Sequence, residues 1–152
     1  MKDFHVRMFK NNNGETLWFN GFIEDLLKTD PEDIPGIPST GGTYILGTTD
    51  GTMLTYPWGT SPIFYIGKAN NLKRRIINDH RNSTLKVVAD HDEKWWKPIY
   101  QYGAAFGVDM AWYSVKGTQS PTTLETNLID QFYEAFGAIP VANGQWPNGI
   151  GK

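Results

Sequence analysis

The sequence predicts an α+β domain in which helices cover a small antiparallel sheet. Three β-rich runs and two helical stretches carry this prediction, because they alternate in the order strand, strand, helix, strand, helix. The runs span residues 43–46, 61–67 and 104–115, and the helical stretches begin at Leu72 and Ser120. With no cysteine in the chain, the fold depends on neither disulfides nor thiolate metal sites.

The first forty residues predict an extension that packs on the sheet domain or is linked to it. An Asn-Gly pair at positions 13 and 14 separates two β-prone runs, which is typical of a hairpin. Asn20 suits the N-cap of a short helix over residues 22–27. We therefore expect a hairpin and a helix in this extension.

The ends of the last helix are indicated by capping residues. Ser120 suits its N-cap, Pro121 its first position, and Gly137 its end. Apolar residues recur at helical spacing within it and predict a buried stripe: Leu124, Leu128, Ile129, Phe132 and Phe136. The helix that begins near Leu72 is expected to reach His80 or beyond.

Charge is distributed unevenly along a chain whose net charge is −2. Non-specific nucleic-acid binders usually carry a strong positive field, because phosphate neutralisation supplies most of their affinity. Here the cations are concentrated between residues 68 and 86, where Asp79 is the single acidic residue. They are Lys68, Lys73, Arg74, Arg75, Arg81 and Lys86. The sequence thus predicts an anionic partner that is engaged at one face.

No apolar run approaches membrane-spanning length, and the N-terminus lacks the apolar region of a signal peptide. We therefore expect a cytoplasmic protein without a membrane partner.

Five sequence elements, in this order, resemble the GIY-YIG nuclease superfamily. They are Gly42-Thr43-Tyr44, Tyr65-Ile66-Gly67, Lys68 with Leu72 and Arg75, Ser120 to Glu125 followed by Leu128-Ile129, and Pro140 to Asn143. Thr43 stands where the family has isoleucine, and residues 48–62 lengthen the usual hairpin. The resemblance covers residues 41–143, which leaves residues 1–40 as the extension and residues 144–152 as a flexible tail.

The resemblance implies a three-stranded antiparallel sheet flanked by helices, and a DNA endonuclease that uses one Mg²⁺ or Mn²⁺ per active site. Glu125 would hold the ion, and Arg75 would stabilise charge on the phosphoryl oxygens. Tyr44 and Tyr65 would orient or deprotonate water, with a pKa lowered by the nearby cations. The general base is left unassigned, because in the family that role has been placed on different groups.

Further residues complete the predicted catalytic and DNA-binding set. Lys68 would assist the deprotonation or neutralise charge, and Asn143 would order the site through hydrogen bonds. Many family members carry a histidine or tyrosine one helical turn after the arginine, where this chain has Asp79. His80 follows, rotated about 100° on an ideal α-helix, so it joins the site only if the helix ends or tightens there. The remaining cations are expected to contact the DNA backbone: Lys73, Arg74, Arg81 and Lys86.

Two other functions are consistent with the same residues. The chain could be a non-catalytic nucleic-acid-binding module on this fold, or an α+β protein-interaction domain, which the net negative charge favours. In each case the two tyrosines would be core residues, and Glu125 would serve only to stabilise the N-terminus of its helix through the helix dipole. If the chain is a nuclease, DNA recognition falls to loops, to the extension or to a homodimer.

Overall fold

The computed structural model describes residues 1–34, 36–90 and 97–144. Within these ranges the chain is an α+β structure with six strands. They are β1 (Gly21–Ile23), β2 (Gly42–Gly47), β3 (Leu54–Tyr56), β4 (Gly59–Ser61), β5 (Ile63–Ala69) and β6 (Asp109–Ser114). Four of them form one antiparallel sheet in the order β1-β6-β2-β5, and β3 pairs with β4 in a separate hairpin.

Helical segments lie on both faces of this sheet. They are two short 3₁₀ helices (Asp3–Met8 and Pro31–Asp33), a π-helix (Arg74–Arg81), α1 (Asn82–Ala89), α2 (Pro98–Phe106) and α3 (Pro121–Phe136). Among the described residues, no helix combines the length and the apolar character needed to cross a membrane. The predicted flexible tail lies outside the described residues, apart from Gly144.

Alternation along β2 divides the core into two layers. Ile45 lies opposite Ile66 and Ala111, and these side chains pack beneath α3. Tyr44 and Leu46 point to the other face, where they pack with residues of the π-helix and α2. We call these the α3 face and the π-helix face. Because successive side chains of a strand point to opposite sides, both faces of β2 are covered and its six residues are buried.

The sheet has four strands, so the prediction of three was wrong. The additional strand comes from the extension: Phe22 of β1 lies opposite Ala111 of β6. Asn20, predicted to cap a helix, caps this edge instead, because its N–H donates to the Trp112 carbonyl at 2.8 Å. Its Oδ1 also accepts from the Ser114 N–H at 2.7 Å. Sheet hydrogen bonds to a distant strand therefore replaced the predicted local helix.

The predicted N-terminal hairpin is reduced to a turn. Lys10 and Thr16 form an isolated bridge, and Asn11 Oδ1 closes the turn by accepting from two backbone N–H groups. Before the turn the chain forms a 3₁₀ helix rather than a strand. Val6 and Phe9, three residues apart, are both buried under α3. A helix of three residues per turn places them on one side, which an alternating strand would not.

The third β-rich run begins later than predicted. The predicted run of 104–115 is a strand only from Asp109, because residues 98–106 form α2. Pro98 occupies the first position of α2, and Gly107, with φ of +76°, ends it. The prediction for the last helix is confirmed: Ser120 Oγ accepts from the Thr123 N–H at 3.3 Å, and Gly137 is left-handed at the end of α3.

The insertion between the two tyrosine strands packs on α3. Its hairpin, β3 and β4, buries Tyr56, whose ring lies 5.0 Å from that of Phe132. The Tyr56 hydroxyl donates to the Ile63 carbonyl at 2.7 Å. Trp58, at the tip, remains exposed beside Tyr133. The insertion is thus anchored by one tyrosine and presents one tryptophan to solvent.

Candidate functional site

Tyr44 and Tyr65 project from neighbouring strands onto the π-helix face. Their ring centroids are 6.0 Å apart. Simple alternation would not place Phe64 and Tyr65 together, but a bulge intervenes: Leu46 pairs with Tyr65 while Gly47 pairs with Ile63. Both Phe64 and Tyr65 therefore pack into the same core layer. A bulge places one extra residue in a strand, and here that residue is Phe64, which has no partner in the register and packs on the same face as Tyr65.

Gly67 provides the space that the two phenols occupy. A Cβ at this position would lie 2.5 Å from Tyr44 Cζ and Oη and 2.6 Å from Tyr65 Cε2. Real Cβ contacts are longer, so both rings cross directly over the Gly67 backbone. The requirement for glycine in the Tyr65-Ile66-Gly67 motif thus follows from the approach of Tyr44 from the adjacent strand.

His80 reaches the site because the helix widens, not because it ends or tightens. Residues 74–81 form a π-helix, in which hydrogen bonds join residues five apart. The extra residue in the turn compensates for the one-residue displacement of the histidine from the position expected after Arg75. His80 is buried, and its Nε2 lies 2.5 Å from the Tyr44 hydroxyl oxygen. The structure therefore brings His80 together with Tyr44.

The imidazole of His80 is uncharged at neutral pH. Burial lowers its pKa to about 3, and the positive charges of Arg75 and Lys97 act in the same direction. Its Nε2 forms a hydrogen bond with the Tyr44 hydroxyl, whereas Nδ1 has no hydrogen-bond partner among the described residues. A neutral imidazole with one bonded nitrogen can accept or return a proton through that bond.

The expectation that nearby cations lower the tyrosine pKa values was wrong. Burial raises the pKa of Tyr44 well above its usual value, the neighbouring Tyr65 raises it further, and Arg75 opposes them without prevailing. Burial also raises the pKa of Tyr65, with a contribution from the negative charge of Glu125. Desolvation outweighs attraction to the guanidinium here, so both phenols are protonated at neutral pH.

Glu125 and Lys68 approach the same site from the α3 face. Lys68 Nζ donates to Thr122 Oγ1 at 2.9 Å, and Glu125 lies three residues further along α3, on the same side of the helix. Burial raises the pKa of Glu125, although the charges of Lys68 and Arg75 lower it. The charge of Glu125 also raises the pKa of Tyr65, and Arg75 acts on Glu125 and on both tyrosines, so the site encloses the edge strand β5 from both faces.

Arg75 presents its guanidinium at the rim of the site. Its Nε donates to Asp79 Oδ2 at 3.0 Å, and both side chains are about half exposed, at 45% and 47%. An exposed ion pair of this kind contributes little stability. The terminal N–H groups of Arg75 have the fork geometry that fits phosphate oxygens.

Asn143 holds the edge strand rather than facing a substrate. Its Nδ2 donates to the Ile66 carbonyl at 2.8 Å, and its Oδ1 accepts from the Ile66 N–H at 3.0 Å. Both hydrogen-bonding groups of the amide are thus satisfied by the backbone immediately beside Tyr65. Asn143 thus fixes the backbone beside Tyr65, and its role in a catalytic site stays a prediction.

The four predicted DNA-backbone contacts divide into two groups. Lys73, Arg74 and Lys86 are exposed. Arg81 is not brought to the surface with them, because its guanidinium donates to the Leu26 carbonyl at 3.2 Å and the Thr29 carbonyl at 3.1 Å. This side chain holds the N-terminal extension on the helix.

Three residues near the site were not predicted from the sequence. Tyr100 lies with its ring 5.8 Å from that of His80, Lys97 acts on the His80 pKa, and Thr122 accepts the hydrogen bond of Lys68. Pro98 was the available signal for the first two. As a favoured first residue of a helix, it would have predicted α2 and placed Lys97 and Tyr100 at its beginning.

The protein groups at this site suit a hard cation that takes most of its ligands from water and substrate rather than from the protein. Among the described residues, no group of three or more histidine, cysteine, aspartate or glutamate side chains could enclose a metal ion. Mg²⁺ commonly binds one or two carboxylates and completes its shell with water and substrate phosphate. Glu125, a partly buried carboxylate without a hydrogen-bond donor among the described residues, suits that role.

Comparisons of the chain with known protein families, with curated proteins and with solved structures found no match.

Proposed function

We propose that this chain is a metal-dependent DNA endonuclease of the GIY-YIG type. The observation that carries the proposal is the convergence of reactive groups around β5. Tyr44 and Tyr65 come from two strands, Arg75 and His80 from the π-helix, and Glu125 from α3. Stability alone does not explain a buried imidazole with an unpaired nitrogen and a partly buried carboxylate that both lie near the same pair of tyrosines, whereas a catalytic site does.

The geometry supports a hydrolysis in which the oxygen of water attacks phosphorus, the bond to the leaving oxygen breaks, and that oxygen takes up a proton from a solvent water. Tyr44 can accept the proton of the water as its own proton passes to His80 Nε2, so no free phenolate is required. Arg75 can donate to the phosphoryl oxygens as negative charge develops on them. A Mg²⁺ or Mn²⁺ ion held by Glu125 would add further positive charge at the phosphate when bound.

Cleavage of supercoiled plasmid tests the proposal. Wild-type protein with Mg²⁺ is expected to convert it to the nicked form, and chelation of the metal should prevent this. Arg75→Ala should slow nicking by about 10² to 10³-fold, the typical effect of removing one transition-state donor. Glu125→Ala should lose activity as well, while Glu134→Ala, a change of an exposed glutamate on the same helix, should not.

Equal behaviour of wild type, Arg75→Ala and Glu125→Ala would refute the proposal. Salt-sensitive DNA retention without cleavage would then favour the non-catalytic nucleic-acid-binding module, and no retention would favour the protein-interaction domain. The order of products tests the homodimer: nicked circles that precede linear DNA indicate one active site acting on one strand at a time.

A further inference from the structure

A groove separate from the candidate site lies between the first half of α3 and the asparagine-rich turn of the extension. Its volume is about 510 Å³. Its walls are formed by Asn11, Asn12, Asn13, Thr16, Leu17, Trp18, Tyr113, Lys116, Gln119, Ser120, Thr123, Leu124 and Asn127. Small-molecule sites in proteins span a few hundred to about a thousand Å³, so the groove has room for one or two nucleobases but not for a duplex.

Among the residues that the structure describes, the lining is rich in amides, contains no carboxylate and has Lys116 as its single charged residue. Several of its polar side chains are engaged internally. Asn11 closes the turn, and Ser120 Oγ accepts from the Thr123 N–H. Gln119 Oε1 accepts from the Lys116 N–H and the Tyr113 hydroxyl. The amides of Asn13 and Asn127, among others, make no hydrogen bond within the described part of the chain. Such amides are the groups that read the hydrogen-bonding edges of bases.

Trp18 provides a stacking surface at the wall of the groove. Its side chain is 65% exposed, which is unusual for an indole. The guanidinium of Arg7 lies 5.5 Å from the ring centroid, a cation–π arrangement that fixes the ring while most of it stays accessible. Exposed aromatic rings beside cations are the surfaces on which unpaired bases stack.

The groove is close enough to the candidate site for one strand to reach both. Tyr113 of the groove lies opposite Thr43 in the sheet register, and Thr43 lies opposite Lys68 on its other side. Two strand-to-strand steps separate Tyr113 from Lys68, a distance of about 10 Å between backbones. This corresponds to about three nucleotide steps of a DNA strand.

We propose that this groove holds one or two unpaired bases of the DNA strand that is cleaved at the Tyr44–Glu125 site. The identity of the polymer depends on the proposed function, whereas stacking on Trp18 and hydrogen bonding to the amides depend on the groove itself. A base must be free of its partner to enter, so the preferred substrate contains a single-stranded stretch next to the scissile phosphate.

Binding to a short fluorescent oligonucleotide tests the groove independently of cleavage. In a Glu125→Ala background, which prevents cutting, anisotropy is measured with a single strand and with the matching duplex hairpin. Trp18→Ala should weaken single-strand binding about tenfold to a hundredfold, the range found for loss of one stacked base. Trp58→Ala is the matched control, because Trp58 is 66% exposed but lies at the opposite end of α3, and it should leave binding unchanged.

A second pair of variants guards against a folding defect. Asn127→Asp places a negative charge in the groove and should weaken single-strand binding at least as much as Trp18→Ala, whereas Asn127→Lys should not. Equal affinities for the two Asn127 variants, or equal affinities after Trp18→Ala and Trp58→Ala, would overturn the proposal. So would tighter binding of the duplex than of the single strand.

The experiments distinguish a failure of the groove proposal from a failure of the nuclease proposal. If the wild type cuts DNA and Trp18→Ala cuts a substrate with a single-stranded stretch equally well, the groove proposal is wrong while the nuclease proposal stands. If the wild type cuts nothing but single-strand binding requires Trp18, the nuclease proposal is wrong and the groove remains a nucleic-acid site.

Discussion

Two buried polar clusters lie on this sheet, and they differ in how completely their groups are paired. At one end, the Met1 amine forms a fully buried salt bridge with Asp109 Oδ2 at 2.7 Å. The other Asp109 oxygen accepts from the Asp25 N–H at 2.7 Å and from the Thr49 hydroxyl. Around β5, by contrast, His80 Nδ1 has no partner among the described residues and Glu125 is desolvated.

We interpret the Asp109 cluster as structural and the cluster around Tyr44 as the proposed catalytic site. A buried charge is tolerated when its partners satisfy it, and the Asp109 cluster meets that condition. The cluster around Tyr44 keeps hydrogen-bonding capacity unused at a cost in stability, which is typical of sites that bind or transform a ligand. Variants in the Asp109 cluster should therefore reduce stability more than activity, and variants around Tyr44 should reduce activity more than stability.

Asp109→Ala should have the largest effect on folding. It leaves the Met1 amine buried without its partner, and the loss of one member of a buried ion pair costs about 3–5 kcal/mol. Urea denaturation would measure the change, with Asp90→Ala as a control because Asp90 is exposed at the end of α1. A loss below about 1 kcal/mol would mean that the Asp109 cluster does not hold the fold together.

Gly67→Ala should disturb the Tyr44 site at an intermediate cost. The new Cβ cannot fit beneath the two rings, and overpacking of this kind costs about 1–3 kcal/mol. Near-UV circular dichroism of the tyrosines should change together with the melting temperature. Gly36→Ala is a suitable control, because a Cβ at Gly36 meets nothing within 4 Å. An unchanged tyrosine spectrum would contradict the crossing of the rings over Gly67.

His80→Leu should reduce cleavage far more than stability. It leaves the Tyr44 hydroxyl buried without its partner, at a cost of about 1–3 kcal/mol, and removing a proton-transfer group slows catalysis by about 10² to 10⁴-fold. Adding Tyr44→Phe removes the orphaned hydroxyl, so the double variant should recover most of the lost stability without recovering cleavage. Additive stability losses would show that the two residues are not coupled.

The pH dependence of stability should contain a contribution from His80. Its pKa is about 3 in the folded protein, against the ordinary value of 6.5 in an unfolded chain, so the unfolded chain binds the proton first as pH falls. Stability from this group is complete above pH 6.5 and decreases towards pH 3, by up to about 1.4 kcal/mol per pH unit. His80→Leu should flatten the curve between about pH 5 and 6.5, where most carboxylates remain ionised. An identical curve would contradict the buried neutral imidazole.

Glu125→Gln should have the smallest effect on folding, with a sign opposite to that of Asp109→Ala. Because burial raises the pKa of Glu125, its ionised form costs stability at neutral pH, and a neutral amide removes that cost. The melting temperature at neutral pH should equal or exceed that of the wild type, while cleavage is lost. A marked decrease would place Glu125 with the structural cluster.

Local signals predicted much of the fold correctly. Ser120, Pro121 and Gly137 set the ends of α3 through caps that depend on neighbouring residues only. The β-rich runs at β2 and β5 were also identifiable, because both are buried and short. These features require no knowledge of distant contacts.

The features that the sequence did not predict depend on distant partners. Asn20 favours a helix locally, but the edge of β6 satisfies its hydrogen bonds better. An ideal helix turns His80 away, and contact with Tyr44, thirty-six residues earlier, accompanies the widened turn that returns it. The tyrosine pKa values likewise depend on burial, which nearby charges in the sequence cannot reveal.

The hydrogen bonds between Asn143 and Ile66 have a consequence for aggregation. The outer edge of β5 would otherwise expose backbone groups on which another chain could add a strand. Asn143 occupies the N–H and C=O of Ile66, and the Ala142 N–H donates to the Phe64 carbonyl at 2.9 Å. The opposite edge, β1, is only three residues long. Ala142 and Asn143, which hold the strand beside Tyr65, thus also occupy part of the longer sheet edge, where another chain could otherwise add a strand.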